Sequence, residues 1–495
     1  MALLNEVKAN YGKLKLLIDG EWVESSSTDV QQSFNPATGE LIGEFPRATE
    51  EEARAAVVAA DQAFHSWKDV CVRDRARMLF DFRGKLEENF ENLSRILTQD
   101  HGRTIAESRG SVRRVIENVE SACAAAYNLV KNNEHIDQLA TGIDQTLVWE
   151  PLGAFLIVSP GNIPMHAWSS FVPYALASGC TVVVSPSSHD PIASEAINRI
   201  AQEVFPAGTV NLVYGGRHLN QMIMNQPEIK GLGFIGSTQV GRELNKLCGE
   251  LGKPCSLNGN GKNHVVIMPD ADLSQAAKLL VSSCFAMGGQ RCLGSDNVVM
   301  VGGSSERFGQ LKDKLTDAAL SMKLGYGLDE TTKLGPMCTP AGKNKVIDWV
   351  DRALGDGANM VLDGRAPTVE GYENGYFLAP TILEGGHPEM SVSTDESFGP
   401  IAMLMETNEL DQALEWINGS CYGHSACIFT ESGRSARKFI RNAEVGNVGV
   451  NVALPQPFSF FPLGSKKDSF LGSDKSRMAS MKLFMDEKTI TTRWA

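Results

Sequence analysis

The sequence predicts an α/β protein built on doubly wound parallel sheets and divided into more than one domain. Short apolar runs alternate with helical patterns from residue 151 onward, and a chain of 495 residues is long enough for several domains. The apolar runs are "GAFLIVSP" (153–160), "TVVVSP" (181–186), "TVNLVYG" (209–215) and "IKGLGFIGS" (229–237). Strands that alternate with helices form parallel sheets, and such sheets bind ligands at the carboxyl ends of their strands.

The segment before residue 151 predicts a hairpin, a further strand and several helices. Asp19 and Gly20 form a two-residue turn signal between strand-like runs, and "NPATGELIGEF" contains a turn followed by a strand. Thr49 and Glu52 form a capping box, which indicates the start of an amphipathic helix. Further helical patterns run roughly over 72–132.

Two further helices are predicted among the strands of these sheets. In "DPIASEAINRIAQEVF", Asp190 is the expected N-cap and Pro191 occupies the first helical position. A second α/β block follows over about 259–450, and its helix "DADLSQAAKLLVSSCFAMG" leads directly to Cys292. The chain ends in a strand pattern that could pair with the edge of another subunit.

Composition and charge narrow the function. A net charge of −13 argues against nucleic acid or an anionic membrane as the main partner. The first twenty residues lack the apolar core of a signal peptide, and the longest apolar run, "YALASGCTVVV", is too short to span a bilayer. The ten cysteines show neither C-x-x-C pairs nor zinc-type spacing, so we expect reduced thiols, no metal site and a cytoplasmic location.

Cys292 stands out among the cysteines because of its surroundings. It lies in "FAMGGQRCLGS", between a helical pattern and a strand-like run, whereas Cys123, Cys180 and Cys427 lie in apolar stretches. Most free cysteines behave as small buried hydrophobes, so an inert Cys292 is one interpretation. The other is a reactive thiolate, for which Arg291 and the preceding helix and turn could supply an electropositive environment.

Two strand ends carry candidate binding motifs. "FIGSTQVGRE" ends a strand and begins a helix, where free amides attract an anion, but Gly236 and Gly241 do not make a complete glycine fingerprint and an ordinary turn is the alternative. In "VSPGNIP", Asn162 can donate a hydrogen bond to a developing oxyanion, or it can simply cap the next helix.

Five motifs recur in one order: "SPGNIP", "FIGST", "NGNGKNH", "GQRC" and "ESFGP". In this set, over nearly its whole length, the chain resembles the aldehyde dehydrogenase superfamily. "GKNHVVIMPDAD", "GYENGYFLAPTI" and "VGVNVALPQPFSF" resemble its methylmalonate- and malonate-semialdehyde branch most. The resemblance implies a Rossmann-type NAD-binding domain, an α/β catalytic domain and a β-strand oligomerisation extension in a homodimer or homotetramer. The expected divisions are 1–130 with 151–258 for NAD, 259–450 for catalysis, and 131–150 with 451–495 for bridging and oligomerisation.

The same resemblance implies roles for individual residues. Cys292 is the expected nucleophile, and Asn162 with the backbone N–H of Cys292 is expected to hold the oxyanion before hydride transfer leaves an acyl thioester. Arg291 and Arg114 are expected to bind a substrate carboxylate, although Arg114 can also be read as a solvated charge on a helix face. The expected cofactor-binding residues are Ser159, Pro160, Ser185, Ser188, Gly236, Ser237, Gly241, Glu396 and Phe398.

Departures from the superfamily pattern bear on mechanism. Asn258 stands where most members carry the glutamate that activates water, and an amide cannot act as a general base at neutral pH. Because the semialdehyde branch also has asparagine there and transfers its acyl group to CoA, we expect an NAD-dependent, CoA-acylating dehydrogenase of a small carboxylated aldehyde. The alternatives are hydrolysis to the free acid, or a cofactor-poor paralogue that serves as a binding or assembly partner.

The cofactor pattern departs from the superfamily at three positions. Ser185 and Ser188 replace a lysine and a glutamate that contact the adenosine ribose in the superfamily, and Gly161 replaces a bulky aromatic residue. Each lost charged hydrogen bond is worth about 1.5–3 kcal/mol. Without that lysine a 2′-phosphate has no partner, so the sequence favours NAD over NADP.

Overall fold

The computed structural model describes residues 3–131 and 133–494, which form two large sheets and three smaller ones. The strands are β1 (Leu16–Ile18), β2 (Glu21–Val23), β3 (Val30–Phe34), β4 (Leu41–Pro46), β5 (Glu134–Ala140), β6 (Ile143–Pro151), β7 (Ala154–Ser159), β8 (Thr181–Pro186), β9 (Val210–Leu212), β10 (Ile229–Ile235), β11 (Cys255–Asn258), β12 (Asn263–Ile267), β13 (Ser295–Val301), β14 (Asn359–Leu362), β15 (Thr381–Gly386), β16 (Ile401–Thr407), β17 (Tyr422–Gly423), β18 (Ser425–Phe429), β19 (Asn447–Val450), β20 (Lys466–Lys467), β21 (Phe470–Gly472) and β22 (Met485–Arg493).

Helices cover the large sheets on both faces. They are α1 (Glu50–Trp67), α2 (Val72–Glu88), α3 (Phe90–His101), α4 (Ile105–Lys131), α5 (Pro164–Ser169), α6 (Val172–Ser178), α7 (Pro191–Gln202), α8 (Arg217–Met224), α9 (Thr238–Leu251), α10 (Leu273–Phe285), α11 (Ser305–Leu320), α12 (Pro340–Gly355), α13 (Leu410–Gly419) and α14 (Gly433–Asn442). Short 3₁₀ turns cover Ala286–Gly289, Ser391–Ser393 and Arg477–Met481. In the part of the chain described, no helix is both long and apolar enough to cross a membrane.

The first large sheet has the order β2-β1-β9-β8-β7-β10-β11-β21. Strands β7 to β11 are mutually parallel, and antiparallel β1 and β21 close the two sides. The chain builds outward from β7 through β8 and β9, then returns to place β10 on the other side of β7. This reversal makes the carboxyl ends of β7 and β10 a topological switch point, where open α/β sheets bind ligands. The residues after these two strands are the "SPGN" and "GST" motifs.

The second large sheet has the order β14-β15-β16-β13-β12-β18-β19. It is parallel except for the edge strand β14. The boundary predicted near residue 258 falls between β11, in the first sheet, and β12, in the second. Strand β21 lies in the first sheet even though its residues belong to the segment expected to bridge subunits.

The C-terminal strand pairs within its own chain. Strand β22 runs antiparallel to β6 from Met485 opposite Pro151 to Arg493 opposite Ile143, and β5 completes a three-stranded sheet. The sequence-based expectation was that this strand could pair with another subunit's edge. Its pairing with β6 occupies one side of its backbone hydrogen-bonding groups, and pairing with another subunit stays a prediction.

Local sequence signals set the N-terminal elements as predicted. Asp19 (φ 51°) and Gly20 (φ 78°) form the β1–β2 turn in the left-handed region, as a type I′ hairpin requires. The capping box is confirmed, with Glu52 N donating to Thr49 Oγ1 at 3.2 Å and Thr49 N donating to the Glu52 carboxylate at 2.8 Å. Asp190 occupies the N-cap of α7 without a capping hydrogen bond.

Asp190 instead belongs to a buried cluster that sequence spacing did not reveal. Ligand-type atoms of His101, Asp190 and Cys338 all lie within 4.8 Å of one another, and the Cys338 thiol donates to Asp190 Oδ1 at 3.4 Å. Burial raises the pKa of Asp190 well above its usual value and lowers that of His101 well below it. Burial therefore favours the uncharged forms of both groups, and Asp190 accepts the thiol hydrogen bond in place of a helix-capping one.

Candidate active site

Three adjoining cavities follow the carboxyl edge of the first sheet. The Cys292 cavity has a volume of about 290 Å³ and is lined by Cys292, Asn162, His166 and three arginines. The middle cavity, about 260 Å³, shares Cys292 and Asn162 with it and adds Glu396 and Phe398. The outer groove, about 400 Å³, shares Pro160, Gly161, Gly236 and Ser237 with the middle cavity. The cysteine therefore lies where a small compartment meets a longer groove.

A tight turn brings Cys292 to this junction. Met287, Gly288 and Gly289 have φ of 57°, 64° and 68° after the end of α10. A Cβ on Gly289 would lie 1.8 Å from the carbonyl oxygen of Gly399, so only glycine lets the two segments touch. This contact joins the "GGQRC" and "ESFGP" motifs, which are more than a hundred residues apart in sequence.

The surroundings of the Cys292 thiol favour its protonated form. Burial and, to a smaller extent, the nearby Glu396 carboxylate raise its pKa to about 12. The backbone N–H groups of Cys292 and Leu293 and the charge of Arg477 act in the opposite direction. Burial outweighs these groups, and the cation among them is Arg477, whereas the sequence suggested Arg291.

Asn162 follows β7 and is fixed from both sides. Its side-chain amide donates to the Gln290 carbonyl at 2.9 Å, and its own carbonyl accepts from Arg103. Since Gln290 is two residues before Cys292, this bond ties the amide to the cysteine loop. Asn162 and Cys292 line the same two cavities, which is the arrangement that an oxyanion site requires.

The Cys292 cavity is rich in guanidinium groups. Arg114 lines the cavity, and its guanidinium lies 5.0 Å from the Phe458 ring centre. It also forms an ion pair at 2.8 Å with Glu117, which lies on the same helix. Arg291 is half-buried, and its guanidinium donates to the Ser282 carbonyl at 3.4 Å. Within residues 3–131 and 133–494, neither Arg291 nor Arg477 has a carboxylate at ion-pair distance. The cavity is therefore suited to an anionic ligand.

Arg477 is the site residue that sequence reasoning missed. Its side chain is 1% exposed, donates to the Pro457 carbonyl at 2.8 Å, and lies 3.2 Å from His166 Nε2. Burial lowers the pKa of Arg477 to about 10, and burial together with Arg477 keeps the pKa of His166 well below its usual value. Nothing in "SDKSRMAS" marks this arginine locally, because it reaches the cavity through the 3₁₀ turn at Arg477–Met481.

Glu396 lies in the middle cavity, beside the loop that follows β11. Its carboxylate accepts from Gly261 N at 2.9 Å and from the Asn260 amide. Burial raises the pKa of Glu396 to about 7. Phe398 lines the same cavity with φ 49°, a strained value for a residue with a side chain.

The predicted cofactor residues separate into three groups. Ser159, Pro160, Ser188, Gly236 and Ser237 line the outer groove. Glu396 and Phe398 line the middle cavity, and the remaining two line neither. Gly241 lies one turn into α9 against Phe234, and Ser185 is fully buried in β8 with no hydrogen-bond partner for its hydroxyl. The hydroxyl of Ser237 caps α9 by accepting from Val240 N, so the helix begins at the groove.

Asn258 is buried at the end of β11. It is 1% exposed, it lines none of the three cavities, and neither of its side-chain polar atoms has a partner in the described part of the chain. The carboxylate that lines the Cys292 cavity is Glu107, whose two oxygens accept from Met287 N at 2.7 Å and Thr104 N at 2.9 Å. A basic group poised to activate water at Cys292 is therefore absent from position 258.

A cysteine and a strand-end amide in one cavity, next to a groove at the switch point, form an arrangement typical of cysteine-dependent oxidoreductases. The chain belongs to the aldehyde dehydrogenase family, whose model matches residues 22–490. It is 35% identical to malonate-semialdehyde dehydrogenase 2 of Geobacillus kaustophilus (strain HTA426) over 483 residues, 97% of this chain and 99% of that one.

Solved structures agree with this assignment. A methylmalonate-semialdehyde dehydrogenase from Oceanimonas doudoroffii superposes with a TM-score of 0.95 at 32% identity, covering 98% of this chain and 99% of that one. A protein of Sinorhizobium meliloti 1021 that carries the same name provisionally, complexed with NAD, has the same TM-score and identity and covers 98% of both chains. The α/β aldehyde dehydrogenase fold predicted from the sequence is confirmed.

Proposed function

We propose that this enzyme oxidises a small carboxylated semialdehyde, of the malonate or methylmalonate semialdehyde type, with NAD as oxidant and CoA as acyl acceptor. The observation that supports this most is the position of Cys292 between an arginine-lined compartment and the groove at the switch point. The relatives named above are malonate- and methylmalonate-semialdehyde dehydrogenases, and one of them is an NAD complex.

The outer groove and middle cavity fit a nicotinamide dinucleotide. The N-terminus of α9 lies at the groove, where the helix dipole favours a pyrophosphate; Thr238 N there already donates to Asn260 Oδ1 at 2.6 Å and Val240 N to Ser237 Oγ. Asn220 lines the groove, and its buried Oδ1 has no hydrogen-bond partner among the described residues, as expected of a polar atom that a ligand satisfies. Glu396 is placed to accept hydrogen bonds from a ribose in the middle cavity. A bound dinucleotide supplies the hydride acceptor.

In this proposal Cys292 and Asn162 do the covalent work. The Cys292 thiol releases its proton to solvent, and its sulfur bonds to the aldehyde carbon while the carbonyl electron pair moves to oxygen. The Asn162 amide and the Cys292 N–H stabilise that oxyanion. When the oxyanion collapses, the carbon loses hydride and an acyl thioester of Cys292 remains. The CoA thiolate then displaces the cysteine, and Cys292 regains its proton.

The position of Asn258 supports acyl transfer to CoA. A buried amide outside the three cavities cannot deprotonate water at the thioester, because an amide has no basic site at neutral pH. Glu107 is the observation that favours the hydrolytic alternative, since it is a carboxylate in the Cys292 cavity. Both of its oxygens are engaged by backbone N–H groups, which argues against that role.

Steady-state NADH formation tests the proposal. With malonate semialdehyde and NAD, turnover should depend on CoA, and the product should be an acyl-CoA rather than a free acid. Equal steady turnover with and without CoA would contradict acyl transfer and favour hydrolysis. The Cys292→Ser variant is the blank for both assays, because it lacks the thiol that carries the acyl group.

A further inference from the structure

The outer groove holds an arginine that the expected cofactor pattern does not include. Arg47 follows β4 and lines the groove together with Ser188 and His189. It lines the outer groove only, and not the middle cavity that contains Cys292. If a dinucleotide binds as proposed above, with its nicotinamide near Cys292, the outer groove receives the adenosine half. The inference therefore rests on the proposed function.

Basic side chains line the groove, and acidic ones do not. Its basic lining groups are Arg47 and His189, and no carboxylate of the described residues lines it. In dinucleotide sites, a carboxylate at the ribose accepts the 2′-hydroxyl and selects NAD, whereas a nearby arginine accommodates a 2′-phosphate. A groove with an arginine and no carboxylate has the second pattern.

The Arg47 backbone is fixed by a hydrogen bond, whereas its guanidinium has only an exposed, distant carboxylate partner among the described residues. Its N–H donates to the Asp29 carbonyl at 2.8 Å, which fixes the residue after β4. The side chain is 55% exposed, and its nearest carboxylate partner is Asp29 at 3.7 Å, itself 54% exposed. Such exposed pairs contribute little free energy. A phosphate carries more charge than a carboxylate and binds guanidinium through two parallel hydrogen bonds, so it competes well for this side chain.

The remaining groove wall is suited to an adenosine. Asn220 Oδ1 is buried and unpaired at the wall. Ser185 Oγ, also buried and unpaired, lies beside Gly215, on which a Cβ would be 3.1 Å from that hydroxyl. Gly215 itself lines the groove. The neutral amide of Asn220 can bind a ribose or base group without repelling an added phosphate, and Ser185 lies behind Gly215.

We propose that Arg47 binds the 2′-phosphate of NADP, so that this enzyme accepts NADP as well as NAD. The sequence favoured NAD alone because Ser185 replaces the usual lysine. The structure places a cation from a different element, the end of β4, in the same groove. Arg47 is thus a specificity-determining residue for the cofactor.

Binding of two adenosine fragments tests this directly. Adenosine 5′-monophosphate and adenosine 2′,5′-bisphosphate differ only in the 2′-phosphate, and calorimetric titration into the full-length enzyme measures both. The bisphosphate should bind about tenfold or more tightly at low salt, as expected for one charge-assisted bidentate contact. Raising the ionic strength should shrink this difference.

Three single variants test whether Arg47 causes the preference for the bisphosphate. Arg47→Ala should remove most of the preference for the bisphosphate and change monophosphate binding by less than about twofold, because the neutral contacts remain. Asp29→Asn removes the competing carboxylate and should strengthen bisphosphate binding. Arg54→Ala is the matched control, since Arg54 lies outside the groove and donates to Gln226. Melting curves of all three variants check the fold.

Three results would overturn the inference. Equal binding of the two fragments to the wild-type enzyme would show that the groove does not read the 2′-phosphate, leaving the proposed dehydrogenase function intact. A preference that survives in Arg47→Ala would remove Arg47 from the role. Failure of both fragments to bind would overturn the inference together with the proposed dinucleotide site. Parallel kcat/KM values for NADP and NAD extend the comparison to the reaction.

Discussion

Removing the Arg114 guanidinium should separate charged from uncharged substrates. Arg114 faces the Cys292 cavity and contacts Glu117 at 2.8 Å. Arg114→Leu keeps an apolar stem near Phe458, loses the hydrogen bonds to a substrate carboxylate, and leaves the Glu117 charge unpaired beside the cavity. A charge-assisted hydrogen bond is worth about 1.5–3 kcal/mol, which corresponds to about a 10- to 150-fold loss in kcat/KM.

The assay compares malonate semialdehyde with propanal, which has the same number of carbons and no carboxylate. We expect the loss for malonate semialdehyde and a change within about twofold for propanal, because propanal makes no ionic contact. Arg113→Leu is the matched control, since Arg113 is adjacent on α4, contacts Glu87 at 2.6 Å and does not line the cavity. Equal losses for both aldehydes, or the same pattern in Arg113→Leu, would refute substrate binding by Arg114.

Two further predictions concern the thiol and its turn. Burial raises the pKa of Cys292 to about 12, so the fraction of reactive thiolate should increase about tenfold per pH unit between pH 7 and 9. The rate of alkylation by iodoacetamide should rise by the same factor, once the rate of the Cys292→Ser variant is subtracted. Arg477→Met should slow it further at each pH, and a plateau below pH 8 would show that the pKa is not raised. Gly289→Ala should lower the free energy of unfolding by about 3 kcal/mol, through a Cβ contact of 1.8 Å and a φ of 68°. Gly371→Ala, with φ 80° and open space around it, should cost about 1–2 kcal/mol in the same denaturant titration, and equal costs would contradict the steric argument.

Local signals made the elements near the site predictable. The type I′ turn at Asp19-Gly20 and the capping box at Thr49 each depend on residues within a few positions, and the structure contains both. The apolar runs beginning at residues 153, 181, 209 and 229 became β7 to β10 because their apolar residues allow burial on both faces of a parallel sheet. Their carboxyl ends meet at one edge, which is how the "SPGN" and "GST" motifs come together.

Long-range contacts were beyond sequence reasoning. Arg477 and Arg47 reach their cavities from segments far from the motifs, and nothing in their immediate neighbours marks them. Asp190 lies at the predicted helix start but bonds to Cys338, almost 150 residues away, in place of capping the helix. The pairing of β22 with β6 depends on where the chain returns in space, which a strand pattern alone does not encode.

The roles of the motif residues remain predictions that the geometry supports unevenly. Cys292, Asn162 and Glu396 lie together at the cavity junction. Ser185 and Gly241 lie behind the groove wall, so any contribution they make to cofactor binding acts through their neighbours. Position matters here because a motif match fixes the residue type, whereas only the fold decides which atoms reach a ligand.

One single-turnover measurement tests the central claim that Cys292 carries an acyl group which water does not release. The enzyme is mixed with NAD and malonate semialdehyde, NADH is followed through the first turnover, and CoA is added afterwards. The account predicts a burst of about one NADH per active site that stalls and resumes on addition of CoA. A burst that continues at the same rate without CoA would contradict it, because water would then reach the thioester despite Asn258.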